Sequence, residues 1–316
     1  MKAMPTEPST LHPKDLLGLK TWPSESLKDL ICRGIEIKAH PDRYLNALQG
    51  RTLALLFQKT STRTRASFEV GMTQMGGHAM YMDWRSTNFA LADLADEARV
   101  LSGYVDGIVA RMLRHGDLRL LAEGSEVPVI NGCCDMYHPC QVLGDLLTIQ
   151  EQRGQLEGAK LVYIGVHNNV CNSLIAGCTK VGVEITVVAP EKNDPSHDPD
   201  LEHQARGTGL YKTTLNLLEA VQEADFIYTD TWLDMEYFLA PSYEEEKQRR
   251  IRVLSDYQID ETLLRHTRAK VMHCLPAHKG YEITEGALKS PQSIVFQQAE
   301  NRLHAQKALL WNLLSV

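Results

Sequence analysis

Thr60–Glu69 reads TSTRTRASFE, and its two flanks decide what it is. Leu53, Leu55, Leu56 and Phe57 before it form a short apolar run of strand type. Ala66, Phe68, Val70, Met72 and Met75 after it recur at helical spacing. A strand that runs through a loop into a helix leaves the first helical N–H groups without intrahelical partners, and the helix dipole favours negative charge there. Ser61, Thr62, Arg63, Thr64 and Arg65 place three hydroxyls and two guanidinium groups at that point. Arg63 or Arg65 can fork onto phosphate oxygens while the hydroxyls donate to the rest. A capping box on Thr64 or Ser67 with a nearby Glu would account for one hydroxyl but for neither arginine. The stretch is read as a phosphate-type anion site on a strand–helix unit.

The same alternation continues on both sides. Strands are expected at Thr52–Phe57, Ala79–Met82, Gly107–Arg111 and Pro128–Asn131, followed by a helix that contains Leu143, Leu146 and Leu147. Ahead of them, Leu27, Leu30, Ile31, Ile35 and Ile37 predict a helix over 24–47 that Gly50 breaks. Gln152–Gly158 is polar and punctuated by glycine, like a hinge. A second series follows: strands at Lys160–Gly165, Glu184–Val188, Asp225–Thr229 and Lys270–Leu275, with helices near Asn169–Val181, Leu215–Ala224 and Glu244–Arg252. Alternating strands and helices imply parallel sheets covered on both faces. The chain of 316 residues is therefore expected to be α/β, with two doubly wound parallel-sheet domains. The first spans residues 1–150, joined by a C-terminal amphipathic helix (296–316) that crosses back to it; the second spans residues 151–295. The polar clusters fall at strand ends, where open α/β sheets bind ligands, so the site is expected in a cleft between the domains.

Composition removes several functions. A formal net charge of −7 speaks against nucleic-acid or anionic-membrane partners. No apolar run reaches membrane-spanning length, and MKAMPTEPSTLHPKD lacks the apolar core of a signal peptide. Seven cysteines, an odd number, fit reduced thiols in the cytoplasm. Cys133, Cys134 and Cys140 lie near His138, but no second CxxC and no HExxH accompanies them, so no metal is expected. The turn Gly165-Val166-His167-Asn168-Asn169 is not GxGxxG, and its side chains would fill the space of a pyrophosphate.

Four further clusters carry possible chemistry. Arg111 ends GIVAR and by itself reads equally as a solvated residue or a ligand. His138 and Gln141, three apart at a helix start, share a face and could donate to one carbonyl oxygen; a capping turn with Pro139 at the first helical position explains them as well. Cys274, in HCLPAH, reads from its neighbours as a small hydrophobe on a buried strand, ahead of a thiolate near arginines. Asp230, Asp234 and Glu236 form an acidic loop that suits an ammonium group or plain solvation.

Together these residues identify a resemblance. STRTR at Ser61–Arg65, ARVLS at Ala98–Ser102, HPCQ at His138–Gln141 and IGxxNN at Ile164–Asn169 stand in the order of the aspartate/ornithine carbamoyltransferase superfamily. So do TDTW at Thr229–Trp232, HCLP at His273–Pro276 and AENR at Ala299–Arg302. The chain resembles that superfamily from about Leu16 onward, its ornithine branch most closely. The resemblance implies a cytoplasmic enzyme without metal or cofactor, assembled as a homotrimer or a multiple of trimers. It would transfer the carbamoyl group of carbamoyl phosphate to L-ornithine, giving L-citrulline and phosphate for arginine biosynthesis. It implies that Ser61, Thr62, Arg63 and Thr64 hold the phosphate. Arg111, His138 and Gln141 would polarise the carbonyl, and Arg302 would add charge. Asn169, Asp230, Asp234 and the backbone of Met235 would hold the amino-acid end, with Cys274 and the Leu275 carbonyl orienting the attacking amine.

Three stretches depart from the family pattern. Asp234-Met235-Glu236 replaces Ser-Met-Gly, Gly165-Val166-His167 replaces Gly-Asp-Gly, and Thr87–Asp93 replaces the segment that in relatives reaches a neighbouring subunit. The first keeps open another acceptor, such as putrescine, lysine or an ornithine derivative. A ligand-binding regulatory paralogue is the non-enzyme alternative.

Overall fold

The computed structural model describes residues 13–233, 237–238 and 240–315. The chain divides into two compact units, one running up to Gln152 and resuming at Glu300, the other comprising Arg153–Ala299.

Unit 1 contains α1 (Ser24–Ala39), β1 (Thr52–Phe57), α2 (Thr62–Gln74), β2 (His78–Asp83), α3 (Leu94–Ser102), β3 (Gly107–Arg111), α4 (His115–Gly124), β4 (Val129–Cys133) and α5 (Pro139–Arg153). Its strands lie in the order β2-β1-β3-β4, all parallel. Leu53 through Phe57 are all buried because both faces of the sheet are covered, and each such leucine contributes about 1.5–3 kcal/mol by burial.

Unit 2 contains β5 (Lys160–His167), α6 (Asn169–Val181), β6 (Glu184–Lys192), α7 (Pro199–Gly207), β7 (Tyr211–Thr213), α8 (Leu217–Val221), β8 (Phe226–Thr229), α9 (Glu244–Leu254), the single turn α10 (Glu261–Leu264), β9 (Lys270–His273) and the single turn α11 (Glu285–Leu288). The strand order is β7-β6-β5-β8-β9, again all parallel. Val162, Ile164, Val188, Ile227 and Val271 fill its core. The last helix, α12 (Val295–Leu314), starts in unit 2 and belongs to unit 1 from Glu300 on. The expected α/β class, with two parallel doubly wound sheets and a returning C-terminal helix, is what the chain adopts.

The elements differ from expectation in several places. The helix expected over 24–47 stops at Ala39, because Pro41 lacks an N–H and disfavours helical backbone at the residue before it; Pro41–Tyr44 forms a 3-10 turn instead. α2 opens at Thr62, so Arg63 and Arg65 stand in its first turn and not in the loop. Its cap is Ser61 and not Thr64 or Ser67. β7 is a three-residue edge strand in a polar stretch that carries no strand pattern. The polar face of α12 is buried along with its apolar one: Asn301 accepts from Lys38 and donates to Thr148 and Glu151.

In each sheet the winding reverses beside the first strand. In unit 1 the reversal lies between β1 and β3, whose last residues, Phe57 and Arg111, are in register. In unit 2 it lies between β5 and β8, with Ile164 opposite Thr229. Ligands of such sheets sit beyond these carboxyl ends, and the two polar clusters stand there.

Candidate active site

The unit 1 cluster begins with Ser61. Its extended backbone caps α2, and its hydroxyl accepts from the Thr64 N–H at 3.3 Å. Thr62 is exposed and Arg63 half-buried. Thr64 is fully buried, and its hydroxyl accepts from Arg302 Nη2 at 3.0 Å, which makes it a strut for that arginine. Arg65 is turned away: it pairs with Glu69 at 2.9 Å and lies 3.8 Å over the Tyr81 ring. Of the two arginines read as possible phosphate forks, Arg63 remains.

Arg111 stands where β3 ends and the pairing with β4 shifts register. It is half-buried rather than solvated. Its Nε is buried with no hydrogen-bond partner among the described residues. Gln58 secures the turn beyond it, donating its N–H to the Arg111 carbonyl at 2.8 Å and accepting from the Leu113 N–H at 2.6 Å. Arg302 reaches the same region from α12. It is buried, its Nε is likewise unpartnered, and Gly144 leaves room for it: a Cβ there would stand 2.9 Å from Arg302 Cγ. No salt bridge pairs Arg111 or Arg302 among the described residues.

His138 precedes α5, and its carbonyl accepts from the Gln141 and Val142 N–H groups. Pro139 opens the helix, as the capping-turn reading has it, and the imidazole stands among arginines. Burial pushes its pKa well below the usual 6.5, and the charges of Arg302, Arg111, Arg63 and Lys59 push the same way. His138 is thus a neutral ring among cations. Burial likewise lowers the pKa of Arg302, with Arg63 and Arg111 adding to it. Gln141 is buried and donates to Asp145 at 2.9 Å. Burial pushes the Cys134 and Cys140 thiols up to about 12; Cys140 donates to the Asn131 carbonyl, and Cys134 hydrogen-bonds around Asn131 and Tyr137. These thiols brace the turn that presents His138.

The unit 2 cluster centres on Asp230, which follows β8 and is 7% exposed. Its Oδ1 accepts from the Thr231 N–H at 2.7 Å and the Cys274 thiol at 2.8 Å; its Oδ2 accepts from Asn168 Nδ2 at 2.7 Å. Cys274 is therefore not the core hydrophobe its neighbours suggest. The strand ends at His273, and the thiol leaves the core half-buried to meet a carboxylate, not arginines. Leu275 has φ 55, a left-handed backbone rare for a branched side chain, and its N–H donates to His273 Nδ1 at 2.8 Å. That acceptor role places the His273 proton on Nε2, which faces Glu282 Oε1 at 3.1 Å. Asp230, His273 and Cys274 bring three ligand-type atoms within 4.8 Å of one another, and hydrogen bonds account for the grouping.

Asn169 is the first residue of α6 and half-buried. Asp234 and Met235, with Glu236, lie outside the described residues. The loop's root is held by Arg250, which donates to the Trp232 carbonyl at 2.6 Å and pairs with Glu246 at 2.7 Å. Where the family pattern has Gly-Asp-Gly, His167 meets Asn172 at 2.7 Å and the two Asn168 atoms take up the turn. The Thr87–Asp93 segment folds locally: Thr87 donates to the Trp84 carbonyl and Asp93 caps α3. Asn168, visible in the sequence only as part of the Asn pair, and Gln58 and Lys59, which continue the polar stretch before Thr60, join the site through partners far off in the chain.

Comparison with known proteins gives a consistent result. Residues 14–151 match the carbamoyl-P binding domain, and residues 157–313 the Asp/Orn binding domain, of aspartate/ornithine carbamoyltransferase. The chain is 42% identical over 308 residues to an ornithine carbamoyltransferase of Bacillus subtilis, covering 96% of this chain and 94% of that one. It is 41% identical over 314 residues to one of Thermococcus kodakarensis, covering 95% and 96%. Among solved structures, the ornithine carbamoyltransferase of Pyrococcus furiosus superposes with a TM-score of 0.88 at 39% identity, covering 97% of this chain and 98% of that one. That of Thermus thermophilus gives 0.84 at 38% identity, covering 96% and 99%.

Proposed function

The chain belongs to the aspartate/ornithine carbamoyltransferase family, and from that premise we propose that it transfers the carbamoyl group of carbamoyl phosphate to the side-chain amine of L-ornithine, giving L-citrulline and phosphate. The observation that carries the reading is the unit 1 cluster, in which Arg111 and Arg302 present buried Nε–H groups, without a partner among the described residues, beside a neutral His138.

In this reading Ser61, Thr62, Arg63 and Thr64 receive the phosphate at the start of α2, and Arg302 adds its charge from α12. Arg111, His138 and Gln141 polarise the carbamoyl oxygen. A neutral imidazole suits that task, since it donates one hydrogen bond without adding a further positive charge. Asn169, Asp230, Asp234 and the Met235 backbone hold the amino-acid end, with Cys274 and the Leu275 carbonyl orienting the amine. The amine lone pair forms the new C–N bond, the carbonyl carbon–oxygen bond to phosphate breaks, and the departing phosphate takes the proton. Only the unprotonated amine attacks, so the rate rises toward alkaline pH; a rate flat from mildly acidic to alkaline pH overturns this sequence of events.

The reading extends to a homotrimer or a multiple of trimers, a cytoplasmic location and a place in arginine biosynthesis. No helix among the described residues is long and apolar enough to cross a membrane. Asp234-Met235-Glu236 favours a second acceptor reading, because two added carboxylates attract a more cationic amine such as putrescine, with lysine, equal to ornithine in charge, as the longer amino acid. The test is product formation by purified protein from carbamoyl phosphate with ornithine, putrescine, lysine, aspartate and N-acetylornithine in parallel. Saturable turnover with ornithine is expected. Turnover of a different amine alone transfers the reading to that acceptor, and bound ligand without turnover by any amine makes the chain a regulatory paralogue.

A further inference from the structure

On the reading above, in which Asp230 receives the acceptor amine, we infer that Asn168 is the positioning residue that sets the Asp230 carboxylate and leaves a single acceptor site on it for the amine. Asn168 sits between β5 and α6 and is 4% exposed. Its Oδ1 accepts from the Val170 N–H at 3.0 Å and the Cys171 N–H at 3.1 Å, capping α6, and faces the Tyr163 hydroxyl at 3.1 Å. Rotating the amide by half a turn would aim its NH2 at these donors, so the orientation is decided by the network. The Nδ2 is thereby fixed on the far side, where it donates to Asp230 Oδ2 at 2.7 Å.

An ionised carboxylate offers about four lone-pair sites. On Asp230 three are filled, by Asn168, the Cys274 thiol and the Thr231 N–H. Thr231 is the adjacent residue in the chain and Cys274 contributes a single S–H, so neither clamps both oxygens. The Asn168 amide, itself pinned to the start of a thirteen-residue helix, is the rigid element that stops the carboxylate from rotating. One open site on a fixed carboxylate selects one direction of approach for an N–H donor. The signal in the sequence is the Asn pair itself, whose first asparagine holds the carboxylate.

Asn168→Ser and Asn168→Asp test this. Ser and Asp are both good helix caps, so α6 keeps its start, and both lose the N–H aimed at Asp230. Asn168→Asp also places a second carboxylate against it. The expected result is a KM for the acceptor amine raised about ten- to a hundredfold in Asn168→Ser, the size of one lost charge-assisted hydrogen bond, and raised further in Asn168→Asp. The KM for carbamoyl phosphate stays close to wild type, while the Tm falls modestly, as the loss of one buried hydrogen bond to Asp230 requires. An unchanged amine KM in both variants overturns the inference, as does a parallel rise in both KM values, which marks a cap and nothing more. The amine used is whichever the wild type turns over; a wild type that turns over none removes the premise, and the inference falls with it.

Discussion

The clusters of unit 1 and unit 2 stand at equivalent places, beyond the carboxyl ends of a parallel sheet where its winding reverses, and they are built in opposite ways. In unit 1 Arg63, Arg111, Arg302 and Lys59 bear on one buried histidine, and two guanidinium groups keep a buried N–H without an acceptor among the described residues. In unit 2 the one central charge, Asp230, accepts from a thiol, an amide and a backbone N–H. Like charges gathered in low dielectric destabilise the empty fold, and an arriving anion relieves them. A carboxylate already ringed with donors is stable by itself and offers only a direction. One cluster is charged to attract an anion; the other is a preformed seat.

The sharpest way to break that contrast is Arg302→Met. Loss of one arginine that stabilises developing charge should lower kcat/KM by about a hundred- to a thousandfold. The Tm of the empty protein should hold or rise, because a buried charge beside like charges is removed. A clear fall in Tm would place Arg302 among the structural ion networks instead.

Asp230→Asn should do the reverse to stability. It leaves the Asn168 amide and the Cys274 thiol facing a group that returns fewer acceptor sites, at a cost of about 1–3 kcal/mol in chemical unfolding. The amine KM rises, while the KM for carbamoyl phosphate does not. Equal stability of wild type and Asp230→Asn would contradict the preformed seat.

A smaller effect comes from His138. Its folded pKa lies well below the usual 6.5, so between those two values the unfolded chain holds the extra proton. Stability therefore falls as pH drops below about 6.5, and it rises with pH across that window. His167, His278 and His304 are shifted in the same direction, chiefly by burial. His138→Gln should flatten this acid limb in part without removing it; an unchanged limb would mean that His138 is not the strained group. The smallest effect is that of Ser61→Ala, which removes the α2 cap and should lower stability by about 1 kcal/mol.

How far the chain's own letters reach follows the same contrast. The strands beside both clusters were legible because each is a buried apolar run bounded by polar residues, as in Leu53–Phe57 and Leu161–Ile164. Of the arginine cluster, Arg63 was legible because no cap or solvated turn needs STRTR; Arg111 by itself read equally as solvated, and Arg302 came only through the family resemblance. Cys274 misled because KVMHCLP looks like continuous core, whereas the strand ends at His273 and the thiol meets Asp230. Arg65 and Thr64 could not be sorted from Arg63 by spacing: Glu69 and Tyr81 draw off the one, and Arg302, more than two hundred residues away, engages the other. Long-range partners of this kind leave no periodic trace.

The most direct test of the account is a calorimetric titration of the purified protein with carbamoyl phosphate in the absence of any amine, run beside Arg302→Met and Cys274→Ser. Saturable binding by the wild type and by Cys274→Ser, abolished or strongly weakened in Arg302→Met, is the predicted result, since the anion completes the unit 1 cluster without help from the thiol of unit 2. Undiminished binding by Arg302→Met, or no binding by the wild type, would contradict it.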